Sequence, residues 1–337
     1  MKVLVLGATG MLGGYTALAL KKAGHEVVAA SRRDSDNGFF ADHGIPYLGG
    51  WNLTDPRTFA ILPQDVGAVV HMAGYMPAHG DASAMPYVKS IVEGTVNVAE
   101  WMVNETACRR IVFNTTPADL AAHYPAGKPV DDDAPRSFPK NGGDHAVYAI
   151  CKAAATDILE NYSITSGLKP CVFRHFTVFG WHPNAAFNIN GRETVSPWRQ
   201  VWRRAIAGED VEVWGAPDHQ VELLYVDDFT DAVEKAIRCD ACGLFNLPGF
   251  KPYTLDEEFQ ALIDVFSTGS RKSVKRLCPE KPVGPTALLK GDKAERLLGW
   301  KARVDWRSAC EKMRAAAIEN PFVKIWGPAD SRDLPLI

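Results

Sequence analysis

Short apolar runs alternate with longer mixed stretches over the first half of the chain. Residues 3–6, 25–30, 68–71, 110–114 and 171–176 are runs of the kind that form buried strands. The stretches between them are long enough for helices, among them residues 87–107 and 144–166. Strands that alternate with helices favour a parallel sheet covered on both faces. We therefore predict an α/β fold built on a doubly wound parallel sheet, a Rossmann fold.

The pattern changes after residue 180, where turn-forming residues without a clear period begin a second region. Thr254 and Glu257 form a capping-box signature at the start of a predicted helix. The Pro-rich end from residue 321 is expected to pack on the surface. We predict a dinucleotide-binding domain over residues 1–180 that also receives 221–250, and a smaller mixed α/β substrate-binding domain over 181–330. Later strands are predicted at 211–214, 221–226 and 244–247, and later helices at 198–207, 228–238, 255–266, 292–298 and 306–318.

Composition narrows the class of partner. The chain has 337 residues, 46% of them hydrophobic, and a net charge of −3 without a dense basic cluster. Neither nucleic acid nor an anionic membrane is therefore an expected partner. The seven cysteines are an odd, scattered set, and the Cys239/Cys242 pair has no second pair at zinc-site spacing, so we expect reduced thiols and no metal. With no leader-like segment at the N-terminus, we expect a cytoplasmic protein.

A glycine-rich turn follows the first apolar run. Gly7, Gly10 and Gly13 are spaced three and three, directly after Val-Leu-Val-Leu and before an amphipathic stretch. Glycines at this place allow a tight turn and let helix N-terminal amides approach a pyrophosphate. The segment predicts a dinucleotide site.

The second predicted strand ends in Ser31, Arg32 and Arg33. A carboxylate at this place suits the ribose hydroxyls of NAD, whereas a serine followed by two arginines can bind a 2′-phosphate. We therefore expect NADP over NAD. The alternative is that both arginines face solvent.

Tyr148 and Lys152 stand four residues apart in a predicted helix. This spacing puts both side chains on one face, about one turn apart. A nearby ammonium favours the phenolate, and a tyrosine whose pKa is lowered in this way can exchange protons at neutral pH. The pair suggests an enzyme that uses tyrosine as its acid or base.

Taken with the glycine turn, these residues resemble the extended short-chain dehydrogenase/reductases, specifically the NAD(P)-dependent sugar epimerase/dehydratase family. The likeness runs from residue 1 to about residue 306. It is carried by Gly7, Gly10 and Gly13, by His71, Ala73 and Gly74, by Gly94 and Thr95, by Thr115 and Thr116, by Tyr148 and Lys152, by Arg174, Thr177 and Gly180, by Tyr225, Asp227 and Asp228, and by Leu298, Gly299 and Trp300.

The resemblance implies roles for individual residues. Thr116 would hydrogen-bond the reacting oxygen, Tyr148 would exchange its proton, and Lys152 would hold the nicotinamide ribose and lower the tyrosine pKa. Thr115 is the alternative to Thr116, because neighbours at a strand end point in opposite directions. The remaining cofactor contacts implied are Gly7, Thr9, Gly10, Met11, Leu12, Ser31, Arg32, Arg33, Asn52, Leu53, Met72, Ala73 and Gly74, with Asn52 and Leu53 at the adenine.

Departures from the family pattern bear on the reaction and the substrate. Members that dehydrate sugars carry a carboxylate directly after the catalytic hydroxyl residue, whereas Pro117 and Ala118 follow Thr116 here. Val221 stands where members that bind a nucleoside diphosphate usually have arginine. We expect Arg199 and Arg203 to replace that cation. Thr177 and His182 complete the expected substrate residues.

Three functions follow from this resemblance. We expect a nucleotide-sugar epimerase that oxidises its substrate transiently to a keto-sugar and returns the hydride to the opposite face. The alternative is an NADPH-dependent reductase of a ketone or aldehyde, and a lesser alternative is a non-catalytic dinucleotide-binding regulatory protein. Family members commonly pair through two long helices, here residues 87–107 and 144–166, so a homodimer is expected.

Overall fold

The computed structural model describes residues 1–77, 83–124, 128–140, 143–189, 192–284 and 286–334. A seven-stranded parallel sheet takes six strands from residues 2–174 and one from residues 243–246; numbered β1 to β7 along the chain, the strands have the order β7-β6-β5-β4-β1-β2-β3. The predicted α/β doubly wound fold is thus confirmed. The strands are β1 (Lys2–Leu6), β2 (Glu26–Ala30), β3 (Tyr47–Leu48), β4 (Ala68–His71), β5 (Arg110–Thr115), β6 (Lys169–Arg174) and β7 (Gly243–Asn246).

Both faces of this sheet are buried, which explains why its strands are continuous apolar runs. One set of alternating residues, including Val5 and Val112, packs under the helices Met11–Lys22 and Val226–Arg238. The opposite set, including Leu4 and Ile111, packs under Gly94–Glu105 and Asp144–Ser166. Because the carboxyl ends of parallel strands share one edge, the segments that follow β1, β4, β5 and β6 meet there.

The predicted helices begin and end close to the predicted residues, and two short helices, Phe39–Asp42 and Val323–Trp326, were not predicted. Met85–Tyr87, a π-helical stretch Val88–Glu93 and Gly94–Glu105 form one continuous helical segment. The other helices are Met11–Lys22, Phe39–Asp42, Asp144–Ser166, Pro197–Ala207, Val226–Arg238, Leu255–Phe266, Asp292–Leu298, Trp306–Glu319 and Val323–Trp326. The capping box of Thr254 and Glu257 is present. Among the described residues, no helix is both long enough and apolar enough to cross a membrane.

The second region has its own core around Trp202 and Phe266. Its helices Pro197–Ala207, Leu255–Phe266 and Trp306–Glu319 pack with a strand pair. Short strands lie here and at the junction: Val211–Trp214 with Lys275–Cys278, Ala186–Ile189 with Arg192–Val195, Gln220–Val221 with Tyr253–Thr254, Leu224–Tyr225 with Val178–Phe179, and Leu288–Leu289 with Pro129–Val130.

Two predictions for this part of the chain were wrong. Residues 221–226 are not one strand, because the buried Glu222 carboxylate accepts the backbone N–H groups of Gly249 and Leu289 between two short strands. The C-terminal end does not merely cover the surface. Phe322 is only 1% exposed and joins the core beneath the sheet.

Candidate active site

The glycine turn between β1 and the first helix is too tight for side chains. Gly7 has φ +82°, and a Cβ atom on it would lie 2.7 Å from the backbone nitrogen of Ala73. A Cβ atom on Gly13 would lie 2.2 Å from the carbonyl oxygen of Gly7. The helix begins at Met11 after Gly10, so its first backbone N–H groups are offered without a capping side chain. Such a cradle fits a diphosphate.

The residues that the sequence assigned to a 2′-phosphate are largely engaged within the protein. Ser31 is buried, and its hydroxyl lies 3.1 Å from that of Thr9 and 2.7 Å from that of Tyr47. Arg33 donates to the carbonyl oxygen of Ile325 at 2.5 Å. Arg32 is exposed. The expected pair of phosphate-binding arginines is therefore split by the C-terminal segment, which corrects the basis on which NADP was expected.

The neighbouring strand ends supply the rest of the expected dinucleotide channel. The backbone of Met72 and Ala73 lies against Gly7, so the segment after β4 meets the glycine turn. Leu53 packs under Gly94, where a Cβ atom would be 2.4 Å from the leucine Cγ.

Two further residues of the expected channel are Asn52, which forms a hydrogen bond within its own turn, and Gly74, which is exposed. Asn52 accepts the backbone N–H of Thr54 at 3.2 Å through its amide oxygen. Gly74 is exposed at the edge of the channel. The amide oxygen of Asn52 is thus already used in the local turn.

Lys152 is almost completely buried, with 3% of its surface exposed. Its ammonium donates to the backbone oxygen of Asn114 at 2.8 Å and lies 4.2 Å from the ring centroid of Phe113. Burial lowers the pKa of Lys152 to about 7. The helix Asp144–Ser166 thus holds this lysine against the end of β5.

Tyr148 lies one turn earlier on the same helix. Its hydroxyl is 3.7 Å from the sulfur of Met76, and its ring centroid is 5.9 Å from the Lys152 ammonium. Burial raises the pKa of the Tyr148 phenol above its usual value. In the protein alone, therefore, desolvation outweighs the lowering that the sequence led us to expect from Lys152.

Thr116 and Thr115 differ in accessibility. Thr116 is half-buried, and its hydroxyl accepts the backbone N–H of Ala118 at 3.3 Å. Thr115 is buried, and within the described part of the chain its hydroxyl has no hydrogen-bond partner. The turn Pro117–Asp119 packs against the helix that carries Tyr148. Thr116 is thus the threonine that a reactant can reach.

A buried ion pair supports this turn. Asp119 accepts from Arg174 at 2.9 Å, and both side chains are buried. Burial raises the pKa of the Asp119 carboxyl. Sequence reasoning missed this pair although a signal existed, since Arg174 is the last residue of β6 and Asp119 follows the end of its parallel neighbour β5. For Met76 no sequence signal was present.

A cleft of about 290 Å³ lies between the glycine turn and the second region. Met11 lines it on one side, and Thr177 and His182 line it on the other. The centroid of the His182 ring lies 4.4 Å from that of Trp326 with the two rings tilted, and burial lowers the pKa of this histidine to about 4. The expected substrate residues Thr177 and His182 therefore lie beside the expected cofactor residue Met11.

The two arginines expected at a diphosphate are held by carboxylates instead. Arg199 is 1% exposed and pairs with the fully buried Asp333 at 2.9 Å. Its guanidinium lies 4.6 to 4.7 Å from the ring centroids of three tryptophans: Trp181, Trp198 and Trp202. Arg203 pairs with Asp333 and Asp330. Both guanidiniums are thus paired with carboxylates, and Arg199 also lines the cleft, so their assignment to the substrate stays a prediction.

The fold and this arrangement define a class. In a Rossmann sheet, the turn after β1 is shaped for a diphosphate, Thr116 follows the end of β5, and the helix Asp144–Ser166 holds Tyr148 and Lys152 at the same edge. This is the arrangement of the short-chain dehydrogenase/reductase class that the sequence resembles.

Comparison with known proteins identifies the family. The model of the NAD dependent epimerase/dehydratase family matches residues 3–246. The chain belongs to this family, and the predictions of an extended short-chain dehydrogenase/reductase and of an enzyme are confirmed.

Relatives and solved structures agree with this assignment. The chain is 27% identical over 353 residues to UDP-glucose 4-epimerase 4 of Oryza sativa subsp. japonica, covering 95% of this chain and 91% of the relative. UDP-glucose 4-epimerase of Thermotoga maritima with UDP-glucose has a TM-score of 0.74 at 18% identity, covering 95% and 99% of the two chains. The Bordetella bronchiseptica enzyme WbmG in complex with NAD and UDP has a TM-score of 0.72 at 20% identity, covering 96% of each.

Proposed function

We propose that this enzyme epimerises the sugar of a nucleotide-sugar, with NAD as its bound cofactor and Tyr148 as the acid and base. The observation that carries the proposal is the joint position of Tyr148 and Lys152 at the end of β5, in a chain whose family match spans residues 3–246. The relatives named above are UDP-glucose 4-epimerases, which supports the same reaction type.

Each residue has a distinct task in this proposal. The nicotinamide ring, when bound, supplies reversible hydride acceptance. Tyr148 takes the proton from the sugar hydroxyl and gives it back, and the Thr116 hydroxyl holds the same oxygen. Lys152 binds the ribose. Its charge and the cationic ring together offset the desolvation that raises the Tyr148 pKa.

The state of the first carboxylate after Thr116 in the sequence favours epimerisation over elimination. The acid nearest in sequence after Thr116 is Asp119, which is buried and paired with Arg174. Loss of water from a sugar needs an acid and a base at neighbouring carbons. Because Asp119 is paired with Arg174, we do not assign it the role of acid or base in an elimination.

We propose NAD rather than NADP. Arg33 is held by the C-terminal segment, and Ser31 is buried between Thr9 and Tyr47. The Bordetella bronchiseptica enzyme was solved with NAD. Together, these observations support NAD more strongly than the basic residues after β2 support NADP.

A second candidate function is the reduction of a ketone or aldehyde that carries no nucleotide. It is favoured by the buried Val221 and by the carboxylates that neutralise Arg199 and Arg203, because a diphosphate needs compensating cations. The cleft would then accept a smaller, uncharged substrate.

One experiment separates the two functions. The purified enzyme is incubated with UDP-glucose, UDP-N-acetylglucosamine or UDP-glucuronate without added reduced cofactor, and the sugar epimers are followed by NMR. Epimerisation is expected, and Tyr148→Phe, which removes only the hydroxyl, should slow it by about 10²-fold or more. Stoichiometric consumption of added NADH with ketones, and no epimer, would support the reductase instead. Unchanged activity of Tyr148→Phe would refute the assigned chemistry under either function.

We also propose a homodimer formed through the helical segment of residues 85–105 and the helix Asp144–Ser166. Val88 and Ile150 are exposed apolar side chains on these elements, 38% and 49% accessible. Burying such residues stabilises association. Sedimentation velocity should show a dimer that Ile150→Asp dissociates, and a monomeric native enzyme would refute this assembly.

A further inference from the structure

The short C-terminal helix Val323–Trp326 is packed against the first helix of the sheet domain. The Phe322 ring lies 4.6 Å from the ring of Tyr15 and stacks 4.0 Å from that of Trp326. A Cβ atom on Gly14 would lie 3.3 Å from each of these two C-terminal rings. The helix is thus part of the dinucleotide-binding half, although it comes from the far end of the chain.

Hydrogen bonds connect this helix to the glycine turn. The indole N–H of Trp326 donates to the carbonyl oxygen of Thr9 at 2.8 Å. The Thr9 hydroxyl in turn lies 3.1 Å from that of Ser31, which bonds Tyr47. A connected series of contacts therefore runs from Trp326 through the turn to the end of β2.

The same helix takes up the polar side chains that follow β2. Arg33 donates to the carbonyl oxygen of Ile325 at 2.5 Å, and Asn37 donates to that of Lys324 at 2.8 Å. Lys324 also pairs with Asp42. The last carbonyls of a helix have no partners within it and attract cations, so Arg33 is well placed there.

We propose that this C-terminal helix selects NAD over NADP by holding Arg33 away from the cofactor. The proposal rests on the use of a nicotinamide dinucleotide in the proposed function. A 2′-phosphate carries close to two negative charges and is bound best by paired or bidentate arginines. Both arginines are exposed, but the Arg33 guanidinium is bonded to Ile325, which leaves Arg32 as the arginine of the pair that the C-terminal helix does not hold.

Trp326 is a positioning residue in this proposal. It keeps the helix against the glycine turn through its bond to Thr9 and its stacking on Phe322. Loss of the indole should loosen the helix and release Arg33. The affinity for NADP should then rise relative to that for NAD.

The test measures dissociation constants of NAD and NADP by titration calorimetry at one fixed ionic strength. In the native background, Arg33→Met should change neither affinity by more than about threefold. Trp326→Ala should shift the NADP/NAD affinity ratio toward NADP by about fivefold or more, and adding Arg33→Met should reverse that shift. Arg32→Met is the matched control, because it removes the neighbouring exposed arginine.

Two results would overturn the proposal. One is a loss of NADP affinity of about tenfold or more in Arg33→Met alone, since Arg33 would then reach the phosphate despite the helix. The other is an unchanged ratio in a folded Trp326→Ala variant. If Trp326→Ala does not fold, the Arg33→Met result decides by itself. If no variant, including the native enzyme, binds either dinucleotide, the proposed function itself is refuted.

Discussion

Lys152 should make the stability of this enzyme depend on pH. Burial lowers its pKa from 10.5 to about 7, so the folded protein releases the proton at a lower pH than the unfolded chain does. Between these values the unfolded state binds more protons, and stability therefore rises with pH. The stability associated with neutral Lys152 is full above pH 10.5 and is lost progressively as pH falls to about 7.

The size of this effect follows from the pKa difference. Each pKa unit is worth about 1.4 kcal/mol, so the free energy of unfolding should rise by about 2 kcal/mol between pH 7 and pH 9 through Lys152 alone. Lys152→Met keeps an apolar stem of similar length but cannot be protonated. The free energy of unfolding of this variant, minus that of the native enzyme, should therefore be about 2 kcal/mol higher at pH 7 than at pH 9.

Urea unfolding at pH 7, 8 and 9, extrapolated to water, measures both proteins. Lys293→Met is the matched control, because Lys293 also donates to a backbone oxygen, that of Leu244, and lies 4.8 Å from the ring of Phe245, yet is only half-buried. Between pH 7 and pH 9, the difference in free energy of unfolding between variant and native enzyme should change more for Lys152→Met than for Lys293→Met. A gap that stays constant from pH 7 to 9 would refute the reasoning about a desolvated ammonium.

The remaining predictions concern the glycine turn and the second region. Gly13→Ala places a Cβ atom 2.2 Å from the Gly7 carbonyl oxygen, so the turn must open and NAD affinity measured by calorimetry should fall by about tenfold or more; native affinity would contradict the tight cradle. Asp333→Asn leaves the buried Arg199 cation uncompensated and should lower the free energy of urea unfolding by about 3–5 kcal/mol. Asp264→Asn, at an exposed pair, should cost less than about 1 kcal/mol, and equal losses would refute the buried-charge account.

The sheet and its helices could be predicted because their signals are local. Residues 68–71 and 211–214 are strands with the predicted bounds, and the capping box fixes the start of Leu255–Phe266. For residues 221–226, local signals gave a wrong prediction of one strand. Their apolar run contains Glu222, whose carboxylate finds partners at Gly249 and Leu289, far away in sequence.

In the site, too, some features follow from local sequence and others depend on residues far away in the chain. Tyr148 and Lys152 are four residues apart on one helix, so their common face follows from spacing alone. The hydrogen-bond and ion-pair partners of the arginines do not follow from spacing. Arg33 binds Ile325 across 292 residues of sequence, and Arg203 binds Asp333 across 130. A basic residue in a sequence indicates a charge but not which carboxylate or carbonyl oxygen satisfies it.

Chemistry and selectivity are therefore encoded differently in this chain. In the proposed function, the acid–base pair depends on residues one helix turn apart. In our proposal, discrimination between dinucleotides depends on where the C-terminal helix lies against the glycine turn, through contacts such as that of Trp326 with Thr9, 317 residues apart. Small changes at the C-terminus can then alter cofactor choice without touching Tyr148 or Lys152. A basic sequence after β2, considered by itself, therefore favoured NADP, whereas the bond of Arg33 to Ile325 is the basis on which we propose NAD.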